Sequence, residues 1–239
     1  MDNPGYIGVT RMNGLADELR AIANNIANSS TAGYRAEALV FAEVLAEADV
    51  EGGAIAMSAP RAHYTLETGG AMKATGGDLD LAIDGEGYFQ VTTPDGPRLT
   101  RAGAFTLSPE GEVLTPDGHL LLDQGGAPVN IPPGSGKIAI GPDGAVSADG
   151  APVAQIGLFA ADAGKMLRQD GVLFRIDGDP EPAQGAKVVQ GFIEGSNVRP
   201  MVEMSRLIEV QRAYEAGQSI LDMEDNRLRK AVETLGRVG

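Results

Sequence analysis

An apolar residue recurs every seventh position near the C-terminal end of the chain: Leu207, Tyr214, Leu221, Leu228 and Leu235. Such a period predicts a helix with one apolar seam, and the seam asks for a second helix to cover it. Met204 and Val210 stand three residues either side of Leu207, and Ala231 three beyond Leu228, so a second apolar position partly accompanies the first. Glu203, Arg206, Glu209, Arg212, Glu215, Asp222, Arg227 and Lys230 lie largely off the seam. Asn197 is a candidate N-cap, and Pro200 falls in the first turn, where its missing N–H costs little. From Met201 to Leu235 such a helix spans roughly 50 Å. It either packs on its own domain or assembles with other helices. Gly217, Glu224 and Asp225 weaken the companion positions, which makes an isolated coiled-coil dimer poor.

The other end of the chain carries a second seam. Met12, Leu15, Leu19, Ile22 and Ile26 are spaced three, four, three and four. This helix is expected to stop at Asn28-Ser29-Ser30-Thr31-Ala32-Gly33, where small polar side chains compete for the backbone and Gly33 accepts a left-handed conformation. Covering both seams at once brings the two ends together. The expected fold class is therefore α+β: N- and C-terminal helices pairing as a coiled-coil-like α domain, with an antiparallel all-β domain inserted between them. The expected boundaries are 1–34 and 193–239 for the α domain, 35–77 for a connector or arm, and 78–192 for the β insertion. Within the connector, the Ala- and Glu-rich stretch from Arg35 to Val50 reads as helix by propensity. The small, polar text from Ile55 to Gly77 reads as an extended arm, with a short strand at His63 to Leu66.

The middle of the chain has a different texture. Leu79, Leu81 and Ile83 alternate with Asp80 and Ala82, the period of a half-buried strand. Turn signals then recur: Pro94-Asp95-Gly96, Pro109-Glu110-Gly111, Pro116-Asp117-Gly118, Pro142-Asp143-Gly144, Asp149-Gly150, Asp170-Gly171 and Asp177-Gly178. Short apolar runs lie between them, as in a sandwich or open barrel.

Charge and composition narrow the function. A net charge of −14 disfavours nucleic acid and anionic membrane surfaces as partners. No apolar run approaches the length of a membrane-spanning helix. Cysteine is absent, so neither disulfides nor thiol chemistry are available. The N-terminal text lacks the basic-then-apolar order of a cleaved signal peptide. His63 and His119 have no partner at metal spacing. Asp78-Leu79-Asp80 begins like a calcium loop, but Ala82 occupies the next ligand position. Gly85-Glu86-Gly87 begins a dinucleotide fingerprint, but Gln90 stands where its third glycine belongs. No catalytic set, metal site or cofactor is therefore expected. A carbohydrate-handling β-domain is the competing class, yet it needs exposed aromatics, and the chain has no Trp and five Tyr.

Three stretches together resemble the bacterial flagellar rod and hook protein family. The first is Ala23-Asn24-Asn25-Ile26-Ala27-Asn28 followed by Thr31 and Gly33-Tyr34. The second runs from Leu79 through Val91, with Arg101 to Leu107 and Thr115-Pro116-Asp117-Gly118. The third is Gly191 to Val198 with Glu203-Met204 and Ile208 to Glu215. The resemblance implies a non-enzymatic subunit of the flagellar axial structure, whose terminal helices pack in a tube and whose β-domain lies outside them. Its length and closing text favour a proximal-rod subunit, with a distal-rod or hook-type subunit as the alternative. The implied partners are further copies of itself, neighbouring rod proteins and the flagellar type III export apparatus, which would carry it unfolded to the periplasm-spanning rod. The expected assembly interface comprises Met12, Leu15, Leu19, Ile22, Asn25, Ile26, Asn28, Leu207, Tyr214, Leu221, Leu228 and Leu235. The family often has an extended or hairpin arm after its first helix, which conflicts with the helical reading of residues 35–50.

Overall fold

The computed structural model describes residues 3–46, 55–178 and 180–236. They form two compact units: residues 1–27, 37–65 and 199–239 in the first, and residues 28–36 and 66–198 in the second.

The first unit holds two helices, α1 (Asn3–Ala27) and α2 (Pro200–Gly236), and two strands, β1 (Glu37–Ala46) and β2 (Ile55–Thr65). β1 and β2 pair antiparallel from Glu37 opposite Thr65 to Ala46 opposite Ile55, with a bulge between Val40 and Phe41. The arm is therefore a hairpin, and the helical reading of residues 35–50 fails over Glu37–Ala46, while its last four residues lie outside the described ones. Alanine and glutamate favour helix only weakly, and a full ladder with β2 overrides that preference.

The terminal helices do not pair as a coiled coil, which corrects the expected fold class. They lie side by side, with seam residues Leu221 and Met12 set against Gly8 and Gly217 of the opposite helix. A Cβ on Gly8 would stand 2.8 Å from Leu221 Cδ2, and one on Gly217 would stand 3.4 Å from Met12 Cγ. A coiled coil needs side-chain knobs along its seam, and here the seam meets backbone. In addition, α1 packs against both strands of the hairpin, so it is not free to devote itself to α2. Ala21, Ile22 and Asn25 of α1 are buried, whereas Val210 is the one fully buried apolar residue among those described in α2. The terminal helices thus belong to a mixed helix-and-hairpin unit rather than to an α domain.

The second unit is the large, mostly β middle. Its main sheet runs, edge to edge, through Met166–Asp170, Leu173–Ile176, Gly96–Thr100, Tyr88–Thr93, Leu120–Leu121, Val113–Leu114 and Thr106–Leu107. Leu158–Ala160 also pairs with Tyr88–Thr93. A three-stranded sheet follows the order Ile138–Ile140, Ala145–Ala148, Ala151–Gln155. Two further antiparallel pairs bring distant text together: Lys187–Gln190 with Leu81–Asp84, and Phe192–Glu194 with Met72–Ala74. The core contains Leu81, Phe89, Val91, Leu121, Ile131 and Val146, all essentially inaccessible to solvent. Each such side chain contributes about 1.5–3 kcal/mol on leaving water. The glycines of all seven expected turns have positive φ, so the turn signals were correctly placed.

Candidate functional site

The expected interface residues divide between the helices. Ile22 is buried within the first unit, while Met12, Leu15, Leu19 and Ile26 are half-buried along α1. On α2, Leu207, Tyr214 and Leu221 are half-buried. The side chains of Leu228 and Leu235 lie outside the described residues. Met12, Leu15 and Leu221 line one groove between the helices, together with Gly8, Ala213, Ala216 and Gly217. Arg206 ties α2 to α1 through Glu18 at 2.8 Å. Away from that groove α2 exposes Met201 at 77 % and Met223 at 61 % of their full area.

Three asparagines in the family-like text have distinct structural duties. Asn25 is buried and its side-chain amide imitates a strand partner: it donates to the Glu37 carbonyl at 2.8 Å and accepts from the Glu37 N–H at 2.9 Å. It thereby fixes where β1 leaves α1. Asn28 follows the last turn of α1, where its carboxamide oxygen accepts from the Thr31 hydroxyl at 3.1 Å. Asn197 is not the N-cap of α2. Its Oδ1 accepts from the Ala36 N–H at 2.6 Å, and its Nδ2 donates to the Thr68 carbonyl at 2.8 Å.

Within the second unit lies a buried charge cluster that the sequence reading missed. Glu194 accepts from Arg35 at 2.9 Å and from Arg101 at 3.2 Å, and all three side chains are almost fully buried. The Gly70 N–H donates to the same carboxylate at 2.9 Å. Arg35 also reaches the Glu67 and Thr68 carbonyls, and Arg101 the Ile83 and Gly85 carbonyls. Burial pulls the Arg101 guanidinium below its usual value, against the support of Glu194. Burial likewise pushes the Tyr88 hydroxyl up, although Arg101, 5.3 Å from its ring, opposes the shift. The Gly33 N–H donates to the Glu194 carbonyl at 2.8 Å, and Gly33 has φ +69°. A Cβ there would stand 2.2 Å from the Ala102 nitrogen, so only glycine fits. Backbone carbonyls and Glu194 take the terminal guanidinium N–H groups, while the buried Nε of Arg35 and of Arg101 finds no hydrogen-bond partner, and the cluster presents no nucleophile. It works as a rivet that joins residues 33–35 to residues 101–102 and 194.

Among the described residues, no three His, Cys, Asp or Glu gather as a metal site, and no helix is long and apolar enough to cross a membrane. Comparison with known proteins supplies the remaining clue. Residues 6–35 match the family described as "Flagella basal body rod protein". Residues 82–148 match the "Flagellar hook protein FlgE/F/G D1 domain", and residues 189–234 the "Flagellar basal body rod FlgEFG protein C-terminal". The chain is 40 % identical to the flagellar basal-body rod protein FlgF of Caulobacter vibrioides, over the whole of both chains. It is 38 % identical to FlgF of Rhizobium meliloti, over 97 % of each chain. It is 30 % identical to the rod protein FlgG of Bacillus subtilis, over 95 % of this chain and 97 % of that one. All three family-like stretches fall inside these matches, so the chain belongs to the flagellar basal-body rod protein family and is a structural subunit of the basal-body rod.

Proposed function

We propose that this subunit occupies the proximal rod and assembles through its terminal helices into a helical tube, which transmits torque and conducts other exported subunits. The observation that carries this reading is α2 itself. It runs for 37 residues and leaves Met201, Met204, Ile208, Ile220 and Met223 at least half exposed. In a rod subunit such a helix finds its cover in the assembly. The half-buried seam residues Leu207, Tyr214 and Leu221 then complete their burial against a neighbouring chain. Passage through the flagellar type III apparatus suits a chain without cysteine, because no disulfide could hold it folded during threading. Further copies of itself and neighbouring rod proteins are its partners, and no chemistry is asked of it.

Leu221→Asp tests the reading. A carboxylate at this position, once a neighbouring helix covers it, must protonate or open the helix contact. The expected result is a non-motile cell whose basal bodies lack a complete rod, while the protein is still made and exported. Asp222→Ala, an exposed control, should swim normally. Full-length rods in Leu221→Asp cells would overturn the terminal-helix assembly.

A further inference from the structure

We propose that the groove between α1 and α2 of one subunit receives the apolar stripe Met201–Met204–Ile208 of a second copy, in a head-to-tail contact repeated along the rod. The proposal rests on terminal-helix assembly and names the two surfaces that perform it.

Gly8, Met12 and Leu15 on one helix and Ala213, Ala216, Gly217 and Leu221 on the other line a hollow of about 340 Å³. Leu221 and Met12 already fill the space beside Gly8 and Gly217, so the room lies over the small Ala213 and Ala216. A cavity of about 150 Å³ already admits a benzene-sized group. The hollow therefore has room for more than one methionine or isoleucine side chain.

The stripe has the complementary defect. Spacings of three and four place Met201, Met204 and Ile208 on one face of α2. All three are at least half exposed. At 3.6 residues per turn this face lies about half a turn round the helix from buried Val210. The stripe and the groove wall are parts of the same rigid helix, about 20 Å apart along it from Met204 to Gly217. One molecule therefore cannot fill its own groove. A second copy can.

A patch that fits a different patch on an identical molecule makes a heterologous contact. Where its rotation does not close a ring, the contact runs on as a helical filament. That geometry is what a rod requires. Charge agrees with it. Arg212 and Glu215 continue the stripe, and Arg11 and Glu224 border the groove, with Glu224 already held by Arg227 of its own helix. Glu215 can therefore meet Arg11, and Arg212 can share Glu224, so that opposite charges face each other across the contact.

The test places a photoreactive benzoylphenylalanine at Met204 and, separately, at Ile208, and irradiates cells before basal bodies are isolated. The expected product is an adduct of two copies, near twice the 24.7 kDa chain mass, with the second attachment in residues 8–15 or 213–224. Ala216→Phe, which fills the groove, should lower the adduct yield by about tenfold or more. Because the chain has no cysteine, M204C with A216C gives an independent readout. Oxidation of basal bodies should then yield a disulfide-linked dimer, including where the bulky probe prevents incorporation. An adduct with another protein, an adduct elsewhere on the second copy, or neither product in basal bodies that contain the chain overturns the proposal while leaving the rod reading intact. Full-length rods in Leu221→Asp cells would instead sink the terminal-helix reading beneath it.

Discussion

Removing the Glu194 carboxylate would leave Arg35 and Arg101 buried without a counter-charge. Glu194→Ala should therefore cost about 3–5 kcal/mol of stability, read from denaturant unfolding. Glu194→Gln should cost less, because an amide oxygen can still accept from the Gly70 N–H. A loss below about 1 kcal/mol for the alanine variant would mean that the surrounding carbonyls satisfy both arginines unaided. Each member of the cluster was visible as a letter, and Arg101 and Glu194 stood inside family-like stretches. Their meeting was not visible, because Arg35, Arg101 and Glu194 come from three separate regions of the chain and no local period links them. The same holds for Asn197. Next to a helix it reads as a cap, yet its side chain is engaged by Ala36 and Thr68. Gly33 was legible in part: its left-handed φ could be expected from the end of a helix, but the close approach of Ala102 could not.

Turns and strands show how far local chemistry reaches. Asp149 holds the turn before Ala151–Gln155 with φ 50°, and its carboxylate accepts from the backbone of Lys137 and Gly136. Those hydrogen bonds hold its pKa below the usual aspartate value, the one from Lys137 first. A depressed folded pKa gives stability that is present above the unfolded value and is lost as pH falls through the folded one. Asp149→Asn keeps the tolerance for positive φ but removes the charge. Its melting temperature should lie below that of the native chain at pH 7, and the two should converge as pH falls through the depressed folded pKa. A gap that stays constant with pH would assign the effect to backbone conformation instead. β1 shows the opposite limit. Its letters favoured helix, and only pairing with β2 made it a strand. The partner begins nine residues after β1 ends, too far for a propensity window to weigh.

At the scale of the molecule, the second unit combines a long insertion with a short piece of earlier chain. Residues 66–198 carry nearly all of its core but not Arg35. This fragment should unfold cooperatively when expressed alone. Adding residues 28–36 restores the third member of the charge cluster. A short linker can join them, because the Leu66 N–H and the Ala36 carbonyl are 2.9 Å apart. The joined form should melt roughly 10 °C higher, from about 3–5 kcal/mol at about 2–4 °C each. Equal melting temperatures would show that residues 28–36 are passengers. A coil-like circular dichroism spectrum for residues 66–198 would show that the β middle depends on the rest of the chain.

The sequence by itself determined what local periodicity and turn chemistry can carry: helices at both ends, a turn-rich antiparallel middle, the glycines that would need positive φ, and the family. These follow from interactions between residues close in the chain, where backbone preference and hydrophobic period act directly. Only the tertiary structure decided that the arm is a hairpin, that Asn25 and Asn197 are backbone clamps, and that two arginines share Glu194. It also decided that seam residues Leu221 and Met12 face Gly8 and Gly217 instead of interlocking with each other. A heptad shows that a helix has an apolar face, but not how closely a neighbour can approach it. That distance is set by the smallest side chains on the facing helix, here Gly8 and Gly217, and a pattern of large residues does not record them.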